Sequence, residues 1–159
     1  MTNLERMIAL ADQFFASRSD PDQIVVDDGL MERLRSIHPA TLSEARDEKG
    51  PFAWVLLVPT THQVMEQFIR GEIGERQLLG VNARNSAFDA IYLCSALVLP
   101  EYRGKGVARR LAVDAIRAIQ RDHAIRELFV WAFSTEGMRL AESLARRFNL
   151  PLYERQTRV

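Results

Sequence analysis

Val98-Leu99-Pro100-Glu101-Tyr102-Arg103-Gly104-Lys105-Gly106-Val107-Ala108 is the stretch whose reading decides the fold of this 159-residue chain. Before it, Phe88 to Leu99 is rich in aromatic and aliphatic residues and stops at Pro100, as a central strand would. After it, Val107, Leu111, Ala115 and Ile119 form an apolar stripe at helical spacing, with Arg109, Arg110, Asp114, Arg117 and Arg121 on the other sides. A strand therefore runs through a glycine-bearing turn straight into a helix. The first N–H groups of such a helix have no intrahelical partners and its dipole adds partial positive charge, so several backbone donors can converge on one anion. Gly104 and Gly106 let that backbone approach closely and take positive φ at little cost. Arg103, Lys105, Arg109 and Arg110 concentrate positive charge here, in a chain whose 21 Lys and Arg balance its 21 Asp and Glu.

Two familiar phosphate loops do not fit. A P-loop ends in Gly-Lys-Ser or Gly-Lys-Thr, whereas Lys105 is followed by Gly106. The dinucleotide fingerprint needs a small residue three beyond Gly106, where Arg109 would obstruct close packing of helix on strand. Arg103, Gly106 and Ala108 instead match the spacing Gln or Arg, two residues, Gly, one residue, Gly or Ala. In that pattern, and in the strand end Ala96 to Tyr102 and the following helix, the chain resembles the GNAT superfamily of acyl-coenzyme A N-acyltransferases over about Ile91 to Arg121.

The resemblance implies an α/β fold with a central mixed, mostly antiparallel sheet flanked by helices, as a single domain over residues 1–159. It implies acetyl-CoA or another acyl-CoA as co-substrate and an amine, small molecule or peptide, as acceptor. Arg103, Gly104, Lys105, Gly106, Val107 and Ala108 would cradle the pyrophosphate, and a bulge would free backbone groups of Leu97, Val98 and Leu99 for the pantetheine arm. Val98 N–H would face the thioester oxygen. Relatives often draw a general base from this strand, at the positions held here by Tyr92 and Cys94. Alternation places both on one face, with Ile91, Leu93 and Ser95 on the other. A phenol with its ordinary pKa near 10 suits proton donation better than proton abstraction. Cys94 as a nucleophile needs a base beside it, and its flanking sequence supplies none. Core packing is the competing role for both, as a solvated surface is for Arg109 and Arg110.

The match fails in the last helix. Many relatives carry Ala-x-x-Leu-Tyr there, the tyrosine protonating the CoA sulfur, and often an asparagine three residues before the alanine; here Ala141-Glu142-Ser143-Leu144-Ala145 follows Met138. A helix after the strand Phe52 to Val58, where relatives have a hairpin, and a single closing strand after the last helix also depart from the pattern. The acceptor-facing half is rebuilt. A catalytically silent acyl-CoA-binding domain is the alternative to an enzyme, and binding of another phosphate-bearing ligand is a third reading. His62, at the start of the additional helix, is a base by its ordinary pKa or a surface residue.

The other elements follow from periodicity. Leu4, Met7, Ile8, Ala11, Phe14 and Phe15 predict a first helix, capped by Thr2 with Glu5. Ser19, Asp20 and Pro21 interrupt it, and Leu30 to Ile37 predicts a second helix that ends before Pro39. Thr41 with Glu44 suggests a further turn. Phe52 to Val58, after Gly50 and Pro51, predicts a strand closed by Pro59, and Thr60 with Gln63 would cap a helix carrying Val64, Met65, Phe68 and Ile69. Gly80 to Ser86 is expected as a loop. Leu128 to Phe133 is predicted as a strand, Met138 to Phe148 as the last helix, and Leu152 to Thr157 as a closing strand.

Charge neutrality gives no electrostatic footprint for nucleic acid. The apolar run through Ala53 to Pro59 is far short of the roughly 18 residues of a membrane span, and the N-terminus lacks the order of a signal peptide. We expect a cytoplasmic protein without nucleic-acid or membrane partners; a homodimer stays open. One cysteine and three scattered histidines, His38, His62 and His123, form no metal-ligand spacing.

Overall fold

The computed structural model describes residues 1–16, 28–82, 87–132 and 134–156. The expected interruption at Ser19 to Pro21 and the ends of three predicted elements, at Ser86, Phe133 and Thr157, lie outside them. The elements are α1 (Asn3–Ala16), α2 (Asp28–Ile37), β1 (Leu42–Asp47), β2 (Gly50–Thr60), α3 (His62–Ile69), α4 (Glu75–Asn82), β3 (Ala90–Val98), α5 (Val107–Asp122), β4 (Glu127–Val130), α6 (Thr135–Phe148) and β5 (Leu152–Glu154). One sheet carries the strands in sequence order, β1-β2-β3-β4-β5. The β1–β2 and β2–β3 pairings are antiparallel, while β3–β4 and β4–β5 are parallel. The mixed character expected is present, with the pairings divided evenly between the two senses. The parallel half exists because α5 and α6 cross over between successive strands.

Local chemistry explains most boundaries. Thr2 and Glu5 cap α1 reciprocally: Glu5 N–H donates to Thr2 Oγ1 at 3.1 Å, and Thr2 N–H to Glu5 Oε2 at 2.8 Å. Three expectations need correction. Thr41 to Glu44 opens no turn, because Leu42 to Asp47 pairs with β2 and Glu44 Oε1 accepts the Trp54 indole N–H across the hairpin at 2.9 Å. Pro59 does not close β2, which runs to Thr60. Leu57 N–H points to Thr41 O at 2.9 Å, so two residues on the missing N–H of Pro59 falls on the same side, past the end of β1, and no ladder bond is lost. The cap of α3 is Thr61 rather than Thr60, its Oγ1 accepting from Val64 N–H at 3.3 Å. Further, α4 covers the first residues of the expected loop at Gly80.

The sheet is buried on both faces. On one, Leu56, Val58, Tyr92 and Phe129 pack with Leu34, Phe68 and Leu78 from α2, α3 and α4. Phe68 is the hub of an aromatic cluster, its ring centroid 4.8 Å from Tyr92 and 5.8 Å from both Phe129 and Trp131. On the other face, Val55, Leu57, Ile91, Leu93 and Leu128 meet α5 and α6. A smaller cluster, Met7, Ala11, Trp54, Leu97 and Leu99, lies under α1.

Candidate active site

The register of β3 against its neighbours creates the site. Leu56 pairs with Ser95 but Leu57 pairs with Leu93, so Cys94 is an extra residue with no partner on β2. This β-bulge reverses the alternation. Before it, Tyr92 and Cys94 point to the α2–α3–α4 face and Ile91 and Leu93 to the α5–α6 face, as expected from the sequence. After it, the odd-numbered Leu97 and Leu99 take the first face and pack under α1.

Pairing with β4 stops at the same point. Leu93 with Val130 is the last pair, and beyond it β3 and β4 part. A cavity of about 260 Å³ fills the opening, walled by Leu93 to Ala96 on β3, Val130 to Ala132 after β4, Ala108 and Ala112 on α5, and Leu140, Ala141 and Leu144 on α6. Small residues on α5, one turn apart, leave the space that larger ones would fill. Leu99 N–H donates to Phe52 O at 2.9 Å, so the alternating N–H groups of Val98 and Ala96 turn away from β2 towards the opening. Of Leu97, Val98 and Leu99, only Val98 presents its N–H in that direction. Ala96 shares the orientation and lines the cavity itself, which the sequence reading missed because the bulge is invisible in simple alternation.

The glycine turn stands at the start of α5. Gly104 and Gly106 have φ of 77° and 74°, the left-handed region in which side chains are strained. Arg110 N–H to Gly106 O, at 3.1 Å, is the first bond of the helix, so the N–H groups of Val107, Ala108 and Arg109 belong to its unpaired first turn. Two cations brace this turn. Arg103 Nε donates to Val98 O at 2.9 Å, tying the loop to the strand end, and Arg110 Nη1 donates to Lys105 O at 2.9 Å. Lys105 Nζ lies 5.7 Å from the centre of the Tyr102 ring, which stacks on Phe52 at 3.8 Å. Tyr102 O–H donates to Asp47, and this bond holds the Asp47 carboxyl below its ordinary value and the phenol above its own. Arg6 of α1 grips Glu101 through two bonds, at 2.8 and 2.9 Å.

Tyr92 and Cys94 are both buried, at 1% and 4% exposure. Cys94 lines the cavity and Tyr92 stands behind it, in the aromatic core. Both reach one residue that the sequence did not single out. Glu75, 1% exposed in the first turn of α4, accepts at Oε2 from Tyr92 O–H at 3.2 Å and Cys94 S–H at 3.3 Å. A carboxylate, absent from the flanking sequence of Cys94, thus meets its thiol from 19 residues upstream. The apolar pair Leu78 and Leu79 inside α4 was the signal for this helix, and Gly80 within it, read as the start of a loop, obscured it.

Ala145 packs in the α5–α6 core beside Leu144 and offers no proton. Met138 packs against the same core. The polar side chains on the cavity wall include Ser95 and Ser134; Ser134 Oγ caps α6 by accepting from Gly137 N–H at 3.0 Å. His62 is elsewhere: Nδ1 meets Glu127 at the start of β4, Nε2 meets Glu66 at 3.0 Å, and the ring does not line the cavity. Glu127 first, and Glu66 more weakly, hold its imidazolium above the ordinary value. Among the described residues, no group of three or more His, Cys, Asp or Glu could hold a metal ion, and no helix is long and apolar enough to cross a membrane.

Similarity to known proteins agrees with this geometry. Three solved structures share the fold at low identity. The ribosomal-protein-alanine N-acetyltransferase of Brucella melitensis is 16% identical, with 89% of this chain and 80% of that one covered and a TM-score of 0.50. Naa20 of Chaetomium thermophilum, in complex with a bisubstrate analogue, is 15% identical over 91% and 67% of the two chains, with a TM-score of 0.52. The polyamine N-acetyltransferase of Drosophila melanogaster is 19% identical over 91% and 79%, with a TM-score of 0.50. No curated protein sequence matches significantly. The model of the acetyltransferase (GNAT) family matches residues 10–148, and the chain, with its parted central strands and its glycine turn, belongs to that family.

Proposed function

We propose that the protein is an acyl-CoA-dependent N-acyltransferase that moves an acetyl or other acyl group to an amine by direct transfer. One observation carries the proposal: the left-handed glycine turn at the start of α5 adjoins a cavity opened by the parting of β3 and β4. The first is built for a phosphate group and the second for a slender, largely apolar arm. The backbone N–H groups from Gly104 to Ala108 would hold the pyrophosphate, with Lys105 supplying charge. Arg103 ties the turn to the strand end through its Nε on Val98 O.

Acyl-CoA supplies an activated thioester and a thiolate that leaves readily. The protein's own part is position and electrostatics. The N–H of Val98, expected to meet the thioester oxygen, points into the opening, and that of Ala96 points there from the cavity wall. Ala96 is therefore the better placed donor for the oxyanion that develops as the amine attacks, and Val98 for the pantetheine arm. A fixed donor of this kind contributes about 3 kcal/mol to the transition state. The apolar wall of Leu93, Ala112, Val130 and Leu144 keeps water from competing with the amine. The acceptor is an amine, as in the relatives that act on polyamines and on a ribosomal-protein alanine.

Mixing the protein with acetyl-CoA and a panel of amines, and following free thiol, tests the reading. Sustained thiol release supports it. Ala145 favours a second reading, a domain that binds acyl-CoA without turning it over. That reading requires CoA to raise the melting temperature while no amine releases thiol.

A further inference from the structure

Helix α4 delivers a carboxylate to the wall of the candidate active site. Glu75 is 1% exposed, and its Oε2 accepts from both Tyr92 O–H, at 3.2 Å, and Cys94 S–H, at 3.3 Å. Cys94 is the bulged residue of β3, placed just past the last pair with β4, and it lines the cavity two residues before Ala96. The carboxylate thus stands one side chain away from the space in which the thioester would lie. Burying it carries a desolvation cost that a neutral side chain avoids. A glutamine could tie α4 to β3 equally well, since its amide oxygen accepts the same two bonds. A carboxylate, unlike an amide, can also take up a proton.

We propose that Glu75 is the proton acceptor of the transfer step, reached through Cys94, an assignment that rests on the acyl-CoA reading above. As the amine nitrogen bonds to the thioester carbon, it gives a proton to Cys94 Sγ while the Sγ proton passes to Glu75 Oε2. The carbon–sulfur bond breaks and its electron pair leaves on the CoA sulfur. Cys94 ends as the thiol it was, Glu75 ends as the acid, and the proton returns through the same thiol to the departing thiolate or to water. Tyr92 is a positioning residue: its phenol fixes the oxygen that receives the proton. Among the described residues, Tyr92 and Cys94 from β3 meet the Glu75 carboxylate, and Arg155 beyond β5 meets the chain just before it. The Arg155 guanidinium lies over Trp131 at 4.1 Å and Phe68 at 4.6 Å, and its Nη1 donates to Ile73 O, two residues before Glu75, at 3.0 Å. The acceptor therefore comes from α4, and the strand positions Tyr92 and Cys94 serve it.

Steady-state kinetics decide the matter, with acetyl-CoA and agmatine, an aminoglycoside or an alanine-initiated peptide, whichever releases thiol fastest. Glu75→Gln is expected to lower kcat by about 100-fold or more and to abolish the acidic limb of the pH profile. The KM for acetyl-CoA and the melting shift with CoA should stay unchanged. Glu75→Asp should recover part of the rate, and Cys94→Ser, which keeps a relaying hydroxyl, should exceed Cys94→Ala. A Glu75→Gln enzyme with the wild-type kcat or an intact acidic limb overturns the proposal. So does Cys94→Ala at the wild-type rate, the deciding variant if Glu75→Gln fails to fold. Wild-type protein that shows no CoA shift, or no thiol release with any amine, refutes the acyl-transfer reading itself, a result distinct from either of these.

Discussion

Replacing Gly106 with glutamate separates the proposed anion-binding role of the turn from its structural role. Gly106 has φ of 74°, and a Cβ built there would stand 3.6 Å from Arg110 Nη1, an ordinary contact. The cost to the fold is therefore conformational, about 1–2 kcal/mol for a side chain in the left-handed region. The new carboxylate would sit at the N-terminus of α5 beside the Arg110 guanidinium, which returns about 0.3–1 kcal/mol. A net loss of about 1 kcal/mol lowers the melting temperature of a chain this size by roughly 2–4 °C. Binding responds differently, because the same carboxylate occupies the place of the pyrophosphate with like charge. For the wild type, CoA at about 100 times its dissociation constant adds roughly 2.7 kcal/mol, a rise of about 5–10 °C. Differential scanning fluorimetry with and without CoA should show that rise in the wild type, most of it in Gly106→Ala, and none in Gly106→Glu. A folded Gly106→Glu protein that keeps the full rise would refute the assignment of the turn.

Ala112→Leu should fill part of the cavity, leaving or raising the melting temperature of the free protein while shrinking its CoA shift; an undiminished shift means that the arm lies elsewhere. Tyr92→Phe removes a buried donor to Glu75 Oε2 and should cost about 1–3 kcal/mol in urea denaturation without weakening CoA binding. A midpoint equal to the wild type would contradict the buried bond. Phe68→Ala, at a fully buried hub, should cost about 3–5 kcal/mol. The His62 clasp predicts a pH dependence. Because Glu127 raises the folded pKa above the ordinary 6.5, the clasp's stabilisation is complete below that value, down to the carboxylate range, and disappears as pH rises through the folded pKa. The urea midpoints of wild type and His62→Asn should differ most on the acid side and converge on the alkaline side, and a gap independent of pH would exclude the clasp as its cause.

The glycine turn, the strand before it and the helix after it were legible in the sequence because each depends on neighbours in the chain. Glycine spacing sets the left-handed turn at 104 and 106, the apolar stripe sets α5, and Thr2 with Glu5 sets the start of α1. Errors fell where a distant partner overrode the local signal. Thr41 and Glu44 have the order of a cap, yet β2 draws Glu44 into a strand that begins just after Thr41, and Pro59 stays in its strand because β1 has ended beside it. Tyr92 and Cys94 were placed on the correct face by alternation, but the bulge at Cys94 inverted the pattern beyond it and brought Ala96 to the cavity wall. The carboxylate beside them was out of reach for the same reason: Glu75 is 19 residues from Cys94 in the chain and 3.3 Å from it in space. The sequence by itself determined the family and the left-handed glycine turn, which are properties of contiguous residues. Only the tertiary structure decided which N–H groups, thiol and carboxylate face the cavity, because strand register and the packing of α4 join residues that no local rule connects.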